Sequence, residues 1–262
     1  MHDAPIVIFD SGLGGTSILR EIIIRLPSEN IIYLADSINA PYGEKPKSEI
    51  IRLSQKNTDL ALQFGAKIIV VACNTATTNA IYVLRKTYNV PFVGIEPAIK
   101  PAALNTKTKR IGILATKGTL SSELFQHTSQ TFAKDTKVVE VIGKNIVEAV
   151  ESGTLDNPIF IESLKKQVQI FIDENIDVLV LGCTHYPYII PILKQLLPET
   201  IKIIDSGYAV AKQTENVLKA KNLKNTSEKI GSLKIFTNKL NQSIIQKLNP
   251  NFDLENIIFK EF

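Results

Sequence analysis

The chain contains two cysteines, and each closes a run of apolar residues. Cys73 ends "IIVVAC" and is followed by Asn74 and Thr75; Cys183 follows "VLVLG" and leads into Thr184 and His185. A thiol inside a strand is an ordinary small hydrophobe. A thiol at a strand's carboxyl end, where a helix begins, stands in a different field. The helix N-terminus favours the thiolate, which predicts a pKa below the usual value of about 8.5. Two such thiols on opposite walls of a cleft suit proton transfer at both faces of one carbon. One thiolate removes a proton, the other thiol delivers one, and a stereocentre is inverted without a cofactor. His185 is placed to assist Cys183. Asp10, at the end of the first apolar run, is its counterpart for Cys73, and Asp and Ser are also favoured helix caps. Asn74, Thr75 and Thr184 stand at expected helix N-termini, whose N–H groups can hold a carboxylate.

Two turns accompany these residues. "DSGLGG" has the glycines of a phosphate loop but not its G-K-[ST]. Gly12, Gly14 and Gly15 run into Thr16 and Ser17, which breaks the dinucleotide spacing G-x-G-x-x-G. It reads as a tight turn that brings backbone close to a small anion. "APYG", Ala40 to Gly43, is a Pro/Gly turn that can close over a ligand or merely connect elements.

These residues need elements to hold them, and the sequence alternates short apolar strands with amphipathic helices. Strands are expected at Ile6–Phe9, Ile31–Ala35, Ile68–Ala72 and Pro91–Ile95. Helices fall between them at Thr16–Leu26, Lys47–Phe64 (stopped by Gly65) and Ala76–Tyr88. After "KPAALNTKTKR" the pattern restarts. Strand Arg110–Ala115, helix Leu120–Ala133 and strand Val138–Ile142 lead to two helices, the second at Pro158–Glu174. Strand Val178–Leu181, helix Pro187–Leu197 and strand Ile201–Ile204 follow. Strands apolar on both faces and separated by helices predict an α/β protein with parallel sheets covered on both sides. "IVIFDSGLGGTSIL" and "IGILATKGTLSSEL" open the two halves in the same way. Cys73 and Cys183 then recur at matching strand ends, which implies two related α/β domains facing each other across a cleft. Every polar motif lies at a carboxyl strand end, where open parallel sheets bind ligands.

Bulk properties narrow the class. The 262 residues are 44% hydrophobic and 21% charged, with a formal net charge of +4. That composition buries a core and leaves lysines scattered, so no nucleic-acid partner is expected. The apolar runs are too short for a membrane helix. The start "MHDAPIVIFDSG" has no signal-peptide pattern, and two distant cysteines make no disulfide framework. A reducing, cytoplasmic setting is therefore expected.

Taken together, "FDSGLGG", "YLADSINAPYG", "VVACNTA", "VGIEPA" and "LGCTHYP" resemble the glutamate racemases of the aspartate/glutamate racemase family, from about Val7 to Gly207. The resemblance implies a cofactor-independent isomerase that interconverts L- and D-glutamate for peptidoglycan synthesis, usually as a homodimer. It implies a domain of residues 98–207 inserted into one of residues 1–97 plus 208–262. It assigns Cys73 to D-glutamate and Cys183 to L-glutamate, with Asp10 and His185 assisting. Asp10, Ser11, Tyr42, Gly43, Asn74, Thr75, Thr184 and His185 would hold substrate. Supporting roles would fall to Asp36, Glu151, Thr116 and Thr119, with Glu148 competing for Glu151's place in "VEAVESG". No metal is expected. The rivals are a racemase for aspartate or another amino acid, a hydrolase with Cys73, Cys183 and His185 on zinc, and a redox or binding protein whose cysteines pair.

Overall fold

The computed structural model describes residues 2–262. The first strand, β1 (Ile6–Asp10), is buried along its whole length and leads through the glycine turn into helix α1 (Thr16–Arg25). β2 (Ile31–Ala35), α2 (Lys47–Gln63), β3 (Ile68–Val71), α3 (Asn74–Thr87) and β4 (Phe92–Gly94) complete the first run. The second contains α4 (Ile99–Asn105), β5 (Arg110–Ala115), α5 (Lys117–Leu120), α6 (Glu123–Phe132), β6 (Lys137–Ile142), α7 (Ile146–Ser152) and α8 (Pro158–Asp173). It ends with β7 (Val178–Gly182), α9 (Ile190–Leu196) and β8 (Lys202–Ile204). The remaining chain forms α10 (Gly207–Ala220), β9 (Leu233–Thr237), α11 (Gln242–Leu248) and β10 (Ile257–Phe259).

These strands make two sheets, ordered β10-β9-β2-β1-β3-β4 and β6-β5-β7-β8, with every pairing parallel. The order β2-β1-β3-β4 is repeated as β6-β5-β7-β8. In each sheet the chain reverses direction at the opening strand, β1 or β5, and the strand that carries the cysteine lies directly beside it. A crevice opens at such a switch point, beyond the carboxyl ends. Alternation along the strands sends Ile6, Ile8, Tyr33 and Val70 to one core, and Val7, Phe9, Leu34, Ile69 and Val71 to the other. The second sheet is covered on both faces in the same manner. This is the α/β architecture read from the sequence.

Local differences have physical causes. The helix expected over Leu120–Ala133 is two helices, α5 capped by Thr116 and α6 capped by Ser122. Each cap accepts from a backbone N–H three residues on, and so starts a new helix. The helix expected over Pro187–Leu197 begins instead as a 3₁₀ turn, Tyr186–Ile189, and becomes α-helical only at Ile190. Pro191 has no N–H to give to the carbonyl four residues earlier. α3 starts earlier than expected, at Asn74, because Cys73 itself is the cap: its Sγ accepts from Ala76 N at 3.4 Å. Helices α4, α10 and α11 and strands β9 and β10 had no counterpart in the sequence reading. Among the described residues, no helix is long and apolar enough to cross a membrane.

Candidate active site

Both cysteines are free and buried, and both line one cavity between the two sheets. Cys73 arrives at the end of β3 and Cys183 immediately after β7. Ser11, Pro41, Tyr42, Gly43, Asn74, Thr75 and Thr116 share the lining with Val147, Thr184 and His185. The cavity measures about 10 Å³, room for about one water molecule. Thr75 Oγ1 meets Thr116 Oγ1 at 2.8 Å, so α3 of one lobe touches the other lobe beside the cavity. Thr119 stands behind this pair, bonded to both hydroxyls. Pro41 belongs to the "APYG" turn that the sequence allowed to close over a ligand, whereas Val147 had no sequence signal, because an apolar side chain in a helix carries none until the fold aims it.

His185 is fixed on both sides. Its Nε2 lies 2.7 Å from Glu151 Oε1, and Nδ1 lies 3.8 Å from Cys183 Sγ. A carboxylate only accepts, so Nε2–H donates to Glu151 and Nδ1 is left to the thiol. Burial alone would push the imidazole pKa down. The Cys183 and Glu151 partners outweigh it and hold His185 well above the ordinary histidine value. Glu151 faces the site and Glu148, three residues earlier on α7, is exposed. The Glu151 carboxylate also accepts from Leu13 N at 2.5 Å.

The "DSGLGG" turn does receive anions, but they belong to the protein. Leu13 N–H serves Glu151, and Gly15 N–H donates to Asp10 Oδ2 at 2.8 Å. The glycines permit the approach. A Cβ on Gly12 would sit 1.9 Å from Glu151 Oε1, and one on Gly14 would sit 2.2 Å from His185 Nδ1.

Cys73 departs from expectation. Its cap position supplies the Ala76 N–H, which lowers the thiol pKa. Burial acts more strongly, Asp10 adds negative charge nearby, and the thiol is pushed well above its ordinary value. Desolvation defeats the helix N-terminus here. The Sγ faces Ser11 Oγ at 3.7 Å. Asp10 makes no hydrogen bond to Cys73. Its carboxylate holds Gly15 N and accepts weakly from Thr184 Oγ1, and its influence on the thiol is through charge. Asp36 also stands behind the cavity wall, accepting from Tyr42 OH at 2.5 Å and Asn238 Nδ2 at 2.6 Å and pairing with Lys56 at 3.3 Å. Its contact with the cavity runs through Tyr42. Asn74 is buried with neither amide atom partnered, a free donor and acceptor at the cavity. Among the described residues, no group of three or more His, Cys, Asp or Glu side chains is arranged to hold a metal ion.

Asp10 links this geometry to stability. Burial raises its pKa from 3.8 to about 6, against the lowering effects of His185 and the Gly15 N–H. A raised carboxyl pKa makes ionisation costlier in the folded state. The cost is absent below about pH 4, grows through pH 6, and then stays constant at about 3 kcal/mol. Asp10→Asn is therefore expected to stabilise the protein by up to about 3 kcal/mol at pH 7.5. The gain should vanish near pH 3.5 and should come with reduced activity. Urea unfolding at the two pH values checks it; equal gains at both would remove the charge explanation.

Known proteins resemble this chain in sequence and fold. A family profile described as Asp/Glu/hydantoin racemase matches residues 17–214. The glutamate racemase of Herpetosiphon aurantiacus is 41% identical over 237 residues, covering 90% of this chain and 93% of that one. Among solved structures, glutamate racemase from Bacillus anthracis superposes with a TM-score of 0.88 at 28% identity, covering 100% of this chain and 98% of its own. Escherichia coli glutamate racemase, solved with L-glutamate, gives 0.84 at 30% identity over 98% of both chains.

Proposed function

Because the chain belongs to the Asp/Glu/hydantoin racemase family, we propose that it interconverts L- and D-glutamate by passing protons between Cys73, Cys183 and the two faces of the substrate's α-carbon. The observation that carries this reading is the pair of free thiols, delivered by equivalent strands of two sheets, lining one cavity. Glutamate as substrate is supported by the relatives' names and by the L-glutamate bound to the Escherichia coli protein.

The α-hydrogen of an amino acid is a very weak acid, so the base must be desolvated and the developing charge met by fixed donors. Cys183, beside the His185 imidazolium, is the base for L-glutamate. Cys73 is the acid at the opposite face, and burial holds its thiol protonated. With Cys183 as thiolate and Cys73 as thiol the site acts on L-glutamate; after one passage the two thiols have exchanged roles and the site is set for D-glutamate. Asn74, Thr75 and the α3 N-terminus offer donors to the substrate carboxylate, and Ser11, Tyr42, Gly43 and Thr184 complete the walls. The substrate's ammonium brings positive charge to a site crowded with potential anions. Since the cavity holds about one water, the lobes must part to admit glutamate and close again to exclude solvent.

The scheme requires no cofactor and no metal, because both proton carriers are side chains. The lobes divide as residues 1–97 plus 208–262 and 98–207, a division supported by the pairing of β9 with β2. Supply of D-glutamate for peptidoglycan, a cytoplasmic location and a homodimer complete the reading and rest on the family resemblance.

The test is direct. Purified protein incubated with L-glutamate in D₂O, with no added cofactor, is expected to lose circular dichroism and to incorporate deuterium at the α-carbon. L-Aspartate, run alongside, should react far more slowly. Absence of α-exchange would sink the racemase reading; a preference for aspartate would sink the substrate.

A further inference from the structure

A second set of polar contacts joins the lobes away from the cavity. Tyr188 lies in the 3₁₀ turn that follows His185, on the lobe that carries Cys183. Its hydroxyl reaches across to Thr16 Oγ1, on the first turn of α1, and to Asn249 Oδ1 at 3.1 Å, at the end of α11. Asn249 Nδ2 donates to Thr16 Oγ1 at 3.1 Å and closes a three-residue ring. Thr16 gives its one hydroxyl proton to the Leu13 carbonyl and accepts from Asn249 Nδ2, and the Tyr188 hydroxyl proton is shared between Thr16 Oγ1 and Asn249 Oδ1. Asn249 is buried and held by a further bond to Ile245 O at 3.0 Å. The Arg20 guanidinium, one turn along α1, stacks 5.2 Å from the centre of the Tyr188 ring.

The ring is connected to the proposed chemistry. Thr16 Oγ1 also reaches the Leu13 carbonyl at 2.6 Å, and Leu13 N–H donates to Glu151. Glu151 in turn holds His185 Nε2, and His185 faces Cys183. The Tyr188 hydroxyl therefore anchors both ends of this chain of contacts: the turn that carries His185 and the glycine loop that carries Glu151's donor.

We infer that Tyr188, through Thr16 and Asn249, is a positioning residue that latches the two lobes shut and so holds Glu151 and His185 in register with Cys183. The inference rests on the racemase reading above. It requires Tyr188 to act only in the closed state. A cavity too small for substrate must open and reclose in each turnover, and a latch made by the neutral contacts of one tyrosine hydroxyl is weak enough to break and directional enough to restore one arrangement.

Tyr188→Phe removes the hydroxyl and keeps the ring over Arg20. It is expected to lower kcat/KM for glutamate about tenfold. Asn249→Ala should do the same, and the double variant should lose no more than the worse single one, since both remove the same ring. Thr16→Val should match them while Thr16→Ser keeps most of the activity, which separates the hydroxyl from the packing if one variant folds poorly. Tyr82→Phe, on an exposed tyrosine of α3, is the neutral control. A Tyr188→Phe enzyme within twofold of the unaltered protein, or effects that multiply in the double variant, would overturn the latch. Failure of the unaltered protein to racemise glutamate would instead overturn the function it serves.

Discussion

Cys183→Ala is expected to lower racemisation of glutamate by on the order of 10³-fold or more, and Cys73→Ala to do the same. Loss of activity alone would not distinguish two acid/base thiols from two packing thiols. The isotope does. In D₂O the Cys73→Ala enzyme still holds Cys183 and its His185 partner, so it can remove the α-proton of L-glutamate and return a deuteron to the same face. It should label L-glutamate slowly and release no D-glutamate. Cys183→Ala should label only D-glutamate. Nuclear magnetic resonance of the α-position, with chiral separation of the products, reads both outcomes. A single variant that still inverts configuration at a normal rate would exclude the two-base scheme. Labelling of both enantiomers by one variant would show that the remaining thiol reaches both faces.

How much of this was written in the sequence depends on the kind of feature. Strand ends are legible, because a run such as Val178–Leu181 has to be buried and whatever follows it has to surface at the sheet's edge. That is why Cys73 and Cys183 could be placed at one cleft. The choice between Glu148 and Glu151 was not legible. Both lie on α7, and only packing against the glycine turn determines that Glu151 is buried and Glu148 exposed. The Cys73 thiol departs from the sequence expectation for a related reason. A helix N-terminus is a local property that sequence reveals, whereas desolvation is collective, and at Cys73 the collective effect is larger. The glycine turn was expected to approach a small anion, and in the structure its N–H groups meet the protein's own carboxylates. Its ligands could not be guessed, since Asp10 is local but Glu151 comes from the other lobe. Tyr188 and Asn249 are 61 positions apart and gave no signal at all.

His185→Asn is expected to lower turnover about a hundredfold, and the distribution of the loss is more informative than its size. Enantiomers in water are equal in free energy, so the ratio of kcat/KM for the two directions must stay at one in every variant. Of the two thiols His185 bonds only Cys183, yet its loss must reduce kcat/KM equally for L- and D-glutamate. The asymmetry can appear only in kcat and KM taken separately. Without the ring at Nδ1, a negative charge on Cys183 loses its partner, whereas a neutral Cys183 loses little. Saturating L-glutamate, which needs the thiolate, should show the larger fall in kcat. D-glutamate, which needs Cys183 as the acid, should show the smaller one, with KM compensating in each case. The pH profile should also lose the limb set by the raised His185 titration, leaving activity that climbs further into the alkaline range. Glu151→Gln should give a milder version of the same pattern, because it removes the charge behind Nε2 and leaves the ring facing Cys183. Equal falls in both kcat values with an unchanged pH profile would reduce His185 to a packing residue at the start of the 3₁₀ turn.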